Sequence, residues 1–291
     1  QIVFLMYHRE SRFRFRLIGY TNQLTDVKAQ IGVYTGSYRH TYMKIPTGFQ
    51  GPSTAIGWYY YAEEQPIQGT PARQSTAYPL ANEFESDYTY LSCVDCELCF
   101  NLSGTIYGKT VNMQNKILNI VHPYNQNDNG TYTINFKLKP TPALYLFEDG
   151  TCGALAEKGS RTPIAAVVTE KTATEKGMAV ALKDANNGQK YFLGSGYYKY
   201  HLKSDDDPTT NNMKGYEYTW TTNYYDNSAS GWRNITIPPA ENDPAHPTSD
   251  YPAYMAAGHY TPEPATTGAN IGKWFLPSAG QWKLVLAKFG D

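Results

Sequence analysis

Charge is scarce in this chain and neither sign prevails: 25 Lys and Arg stand against 26 Asp and Glu, a net charge of -1. Nucleic acid therefore finds no basic surplus with which to exchange its counterions. No apolar run is long enough to span a bilayer as a helix. The six histidines are scattered, without the H-x₃-H or H-E-x-x-H spacing that brings two imidazoles to one metal. A Gly-x-Ser-x-Gly elbow is missing as well, and Ser195 in Gly194-Ser195-Gly196 reads as a turn. No catalytic residue, cofactor or metal is expected from these patterns. The chain opens at Gln1-Ile2-Val3 with neither a starting methionine nor a signal peptide, which we read as a mature or trimmed polypeptide.

Cysteine is rare, and three of the four, Cys93, Cys96 and Cys99, crowd together as if for an iron–sulfur or zinc cluster. Alternation argues against that. Val94, Cys96, Leu98, Phe100 and Leu102 share one face at period two, with Cys93 and Cys99 on the other. A strand cannot converge three successive thiolates on one ion, so the pattern predicts a buried Cys96 and two surface-side thiols. Whether any of them pairs with Cys152 is left open by the sequence.

What is abundant is tyrosine, 26 residues, with many Thr, Asn and Gly, the composition of a β-rich, surface-exposed or secreted protein. Residues 12–18 alternate Arg and apolar side chains, predicting a strand with Phe13, Phe15 and Leu17 inward and a solvated row of arginines outward. Val27, Ala29, Ile31 and Val33 repeat the pattern, with Gly36 as a turn signal. Asn129-Gly130, tolerant of positive φ at both positions, predicts a hairpin joining Ile117–Val121 to Tyr132–Leu138. Gly51-Pro52-Ser53 and Gly69-Thr70-Pro71 interrupt the strands. Up to residue 155 the chain reads as antiparallel strands of a β-sandwich.

The last stretch, Gly272-Lys273-Trp274-Phe275-Leu276-Pro277-Ser278-Ala279-Gly280-Gln281-Trp282, is different. Ser278 and Gln281 form the S-x-x-Q pattern of a capping box, in which two side chains each satisfy a backbone N–H at a helix start. Trp282, Val285, Leu286 and Phe289 follow at helical spacing, with Gly290 as a C-terminal cap. That spacing predicts a helix docked through its apolar stripe, with Trp282 as a buried anchor.

Together with Gly177-Met178-Ala179-Val180-Ala181-Leu182-Lys183-Asp184-Ala185, this stretch resembles the domain found behind fimbrillin modules in Bacteroidetes, related to the C-type-lectin-like and formylglycine-generating-enzyme folds. Tyr7-His8-Arg9 before Phe13-Arg-Phe-Arg-Leu17, and residues 129–138 before Leu146-Phe147-Glu148-Asp149-Gly150-Thr151, are similar to the start and end of a fimbrillin module. The resemblance implies a mainly β, fimbrillin-like N-terminal β-sandwich over residues 1–155 and an α+β, C-type-lectin-like domain over 160–291. It also implies an N-terminally incomplete first domain and a C-terminally incomplete second one.

Several of the family's chemistries lack their residues here. The formylglycine-generating enzymes use paired cysteines, and residues 160–291 contain none. Calcium-binding lectins use Glu-Pro-Asn and Trp-Asn-Asp, which Pro262-Glu263-Pro264 does not match, and Asp205-Asp206-Asp207-Pro208 reads as a solvated acidic turn. An aromatic and amide-rich belt, with Trp220, Asn223, Tyr224, Trp232 and Arg233 beside Asp226 and Asn227, offers ring faces and hydrogen bonds suited to a glycan, though such rings also serve as ordinary strand contacts. Sequons stand at Asn101, Asn129 and Asn234. The expected protein is not an enzyme. It is a fimbrial subunit on the outer surface of the cell, a tip or accessory adhesin whose partners are other fimbrial subunits and a surface glycan or protein, or else a non-polymerising glycan-binding lipoprotein.

Overall fold

The computed structural model describes residues 11–35, 42–45, 48–49, 57–60, 62–91, 93–94, 97–121, 130–140, 142–188, 211–221, 225–228, 231–234, 240 and 251–290, with the strands at 42–45, 48–49, 93–94, 225–228 and 231–234 described as backbone. Gly36, Gly51-Pro52-Ser53, Cys96, Asn129, Ser195, Asp205-Asp206-Asp207 and every histidine except His259 lie outside the described residues. The chain is mainly β and forms two compact units, Gln1–Ala143 with Thr172–Thr174, and Leu144–Lys171 with Glu175–Asp291. The division therefore falls before Leu144, and the strands at 144–147 and 152–154 belong to the second unit rather than the first.

In chain order the first unit holds β1 (Ser11–Gly19), β2 (Leu24–Thr35), β3 (Tyr42–Ile45), β4 (Gly48–Phe49), β5 (Gly57–Tyr59), β6 (Gln65–Pro66), β7 (Arg73–Gln74), β8 (Asn82–Glu85), β9 (Thr89–Leu91), β10 (Cys93–Val94), β11 (Glu97–Ile106), β12 (Lys109–Val121) and β13 (Thr131–Lys137). One sheet runs β13-β1-β8-β7 with β9 also on β1, the other β12-β11-β2-β5 with β6 also on β2. Their inner faces share one core: Phe13, Phe15 and Leu17 of β1 and Phe84 of β8 meet Val27, Ile31 and Val33 of β2 and Leu98, Phe100 and Leu102 of β11. The period-two patterns in β1, β2 and β11 are thus the inward rows of a β-sandwich.

Three local expectations need correction. The strands expected to pair as a hairpin, 117–121 and 132–138, lie in different sheets: β12 pairs with β11, while β13 lies parallel to β1, Phe15 opposite Ile134. The unit is therefore not wholly antiparallel. The tight hairpin is instead β11–β12, where Ile106 pairs with Lys109 around Tyr107 (φ 52) and Gly108 (φ 70), the doubly positive geometry of a type I′ turn. Tyr107 tolerates its left-handed backbone with its hydroxyl anchored, accepting the Tyr20 N–H at 2.7 Å.

Of the outward arginines, Arg12 is exposed as expected, but Arg14 and Arg16 are half-buried and paired rather than solvated. Arg14 and Arg16 pair with Glu85 at 2.8 and 2.6 Å, and Arg73 reaches Glu83 at 2.7 Å and Glu85 at 2.6 Å. Tyr88 lies 4.7 Å under Arg12 and 5.1 Å under Arg14. Burial alone would raise the Glu85 carboxyl, but the hydrogen bonds from Arg73 and Arg16 and the nearby guanidinium charges hold it below the usual carboxylate range. Its contribution to stability is present above the unfolded carboxylate range and is lost as pH falls through the lowered folded value.

Cys99 does point away from the core shared by Leu98 and Phe100, yet it is buried rather than surface-side. Tyr60 covers it, and burial pushes both the Cys99 thiol and the Tyr60 phenol upward. Cys99 and Cys152 are both free thiols, so Cys152 pairs with none of the clustered cysteines.

The second unit contains β14 (Leu144–Phe147), β15 (Cys152–Ala154), β16 (Pro163–Thr169) and β17 (Met178–Ala181), one antiparallel sheet in the order β15-β14-β16-β17. Among the described residues the remaining elements are two 3-10 turns (Leu155–Glu157 and Ala185–Gly188), α1 (Gly215–Trp220), the hairpin β18 (Tyr225–Ser228) with β19 (Gly231–Asn234), α2 (Pro252–Gly258) and α3 (Ala279–Phe289).

Candidate functional site

The motif that ends the chain works as a clasp. Gln281 Oε1 accepts the Ser278 N–H at 3.0 Å, and the capping box predicted for α3 is present. The Ser278 hydroxyl reaches the Asn212 carbonyl at 2.6 Å, which also accepts the Gly280 N–H at 2.9 Å. Asn212 in turn donates from its side chain to the Tyr218 hydroxyl at 2.7 Å, and Thr219 Oγ1 accepts the Leu276 N–H at 3.2 Å. A side chain at Gly280 would run into the Asn212 carbonyl, so the small residue there permits the close approach. Leu276, Ser278, Gly280 and Gln281 thereby lock the start of α3 onto the residues around α1.

The anchor of this unit is not the one the helical spacing predicts. Trp282 is 45% exposed, and Leu286 and Phe289 are exposed too. The docked side of α3 starts instead from buried Gly280 and Gln281, while Tyr218 and Tyr254 fill the small core with Tyr251 and Leu276 against them. Spacing identifies a stripe on a helix, but the partner that covers it depends on tertiary packing.

Of the aromatic belt, Trp220 ends α1 half-buried. Its indole N–H donates to the Trp274 carbonyl at 2.5 Å, and the Lys273 ammonium lies 4.2 Å over its ring. Asn223 and Tyr224 lie outside the described residues, and Trp232 and Arg233 are placed on β19, opposite Asn227 and Asp226, by backbone only.

A cleft of about 640 Å³ opens between the 3-10 turn at Ala185–Gly188 and the segment that follows α2. Asn187 comes from the turn and Asp184 from the residue just before it, and Tyr260, Thr261 and Glu263 from the other wall. Two consecutive left-handed residues, Asn187 (φ 58) and Gly188 (φ 75), shape the turn, and Asp184 Oδ2 stands 3.3 Å from where a Cβ on Gly188 would lie. Opposite, Tyr260 meets Trp274 edge-on, centroids 5.0 Å apart at 85°. Burial and then the charges of Asp184 and Glu263 raise the Tyr260 phenol, which stays a hydrogen-bond donor at neutral pH. His259 Nε2 meets the Ala240 carbonyl at 2.7 Å. Lys183 lies 3.7 Å from Glu263 at the exposed rim.

These groups line the cleft with carboxylate, amide, hydroxyl and phenol side chains. Cys152, pushed up to about 12 by burial and by Asp149 against the opposing charge of Arg161, remains a neutral thiol. Among the described residues no three His, Cys, Asp or Glu side chains come together as a metal-binding group. Sequence reasoning had marked Lys183 and Asp184 only as part of a strand motif; their partners at 260–263 are joined to them by the fold. No family model, curated protein or solved structure matches the chain.

Proposed function

We propose that this chain is a cell-surface fimbrial subunit, an accessory or tip adhesin, whose first unit assembles by strand addition and whose second, C-type-lectin-like unit meets the ligand. The observation that carries the assembly half is β12: 13 residues long, it closes one edge of its sheet and, among the described residues, pairs only with β11. Such an edge offers a row of main-chain donors and acceptors to an incoming strand. Exposed Lys109 and Lys116 discourage indiscriminate pairing along it. The order of the fimbrillin-like segments in the sequence supports the same reading.

The alternative, a surface lipoprotein that binds glycans without polymerising, is favoured by the polar cleft, which needs no neighbour to be complete. In either case the aromatic belt from Trp220 to Arg233 and the cleft are the two candidate contact surfaces.

Photo-crosslinking separates the two. With p-benzoyl-phenylalanine in place of exposed Asn112 on β12, irradiation of the producing cells should yield a crosslink to another subunit, seen as a ladder on a denaturing gel. Monomer alone, with the probe incorporated and the protein at the surface, would contradict assembly through this edge.

A further inference from the structure

We infer that the cleft between the Ala185–Gly188 turn and the segment after α2 is a binding site for a neutral saccharide. This names the ligand class of the adhesive half of the proposed function and rests on that half alone, not on polymerisation.

The lining decides the class. An apolar ligand would meet mostly polar groups, and an anionic one would face the carboxylates of Asp184 and Glu263. The rim ammonium, Lys183, lies 3.7 Å from Glu263 and offsets that one carboxylate, so the charged groups of the lining sum to a single negative charge, which still disfavours an anion. What remains is a mixed set of donors and acceptors with a ring among them: the Asp184 carboxylate, the Asn187 amide, the Thr261 hydroxyl and Tyr260. A carboxylate beside an amide can accept from and donate to neighbouring hydroxyls of one sugar, while the ring meets its C–H face.

The site is also built in advance. Among the described residues neither the Asp184 carboxylate nor the Asn187 amide is hydrogen-bonded to another protein group, and both are exposed, so a ligand competes for them with water alone. Gly188, without a Cβ, leaves the Asp184 carboxylate its place. Tyr260 is braced by Trp274, whose carbonyl is held by Trp220 at 2.5 Å, so the belt's first tryptophan stands behind the cleft as a support. The volume, about 640 Å³, is that of an ordinary small-ligand site.

The test is a glycan array carrying neutral, sialylated and sulfated saccharides, probed with the full chain, followed by calorimetry on the best neutral saccharide. Asp184→Asn, an exposed and nearly isosteric change, and Tyr260→Ala should each weaken binding at least tenfold, with the far-ultraviolet circular dichroism unchanged for Asp184→Asn. Absence of any neutral binder, a preference for the anionic saccharides, or binding untouched by both substitutions would overturn the assignment. Loss on Trp232→Ala with Asp184→Asn silent would also overturn it and move the contact to the β18–β19 hairpin. Saccharide binding by a chain that forms no filaments would leave this site standing and sink only the assembly.

Discussion

Alanine in place of Gly104 should cost the first unit roughly 2–6 kcal/mol, the sum of about 1–3 for backbone strain and about 1–3 for overpacking. Gly104 has φ +131, where an L-residue is strained, and its Cβ would stand 2.5 Å from Val27 Cα and 2.7 Å from the Asp26 carbonyl. The clash is with the backbone of β2, which cannot swing aside as a side chain could. The β11–β2 ladder breaks register here, between Ser103 and Thr105, with Asp26 at φ 50 on the opposite strand. That irregularity lets two long strands stay paired through a bend. Gly108→Ala is the control: φ is +70 but nothing lies within 4 Å of the added Cβ, so only the conformational cost of about 1–2 kcal/mol applies. Urea unfolding and hydrogen exchange in β2 and β11 should separate the two variants clearly; equal losses would contradict the close approach at Gly104.

In the second unit the largest loss is expected at Tyr218, not at Trp282. Tyr218 is 1% exposed, and Tyr218→Ala should cost about 3–5 kcal/mol, as for other buried aromatics. Tyr218→Phe, which keeps the ring and deletes the acceptor of the Asn212 amide, should cost about 0.5–1.5 kcal/mol. Trp282→Ala should cost less than half as much as Tyr218→Ala, since nearly half of that side chain already faces solvent. Thermal unfolding followed by circular dichroism measures all three. A Trp282→Ala loss equal to that of Tyr218→Ala would restore the tryptophan as the anchor.

These contrasts mark how far the sequence could be read. The inward rows of β1, β2 and β11 were legible because a sandwich strand writes its burial at period two, and Ser278 with Gln281 was legible because a capping box is local. Partner choice was not. Asn129-Gly130 favours a turn, but the preference of two residues cannot show that β13 leaves β12 for a parallel place beside β1. Tyr107-Gly108 makes the real hairpin through positive φ that a tyrosine seldom adopts. Cys99 alternates away from the core as expected, yet Tyr60 buries it from the other side. The cleft could not be anticipated, since Asp184 and Tyr260 are brought together only by packing.

The central claim is most directly tested by immunogold electron microscopy of the producing cells and of filaments sheared from them, using an antibody to this chain. Gold along or at the ends of fimbriae, retained on the sheared filaments, is the result this account predicts. Uniform labelling of the cell surface, with bare filaments, would contradict it.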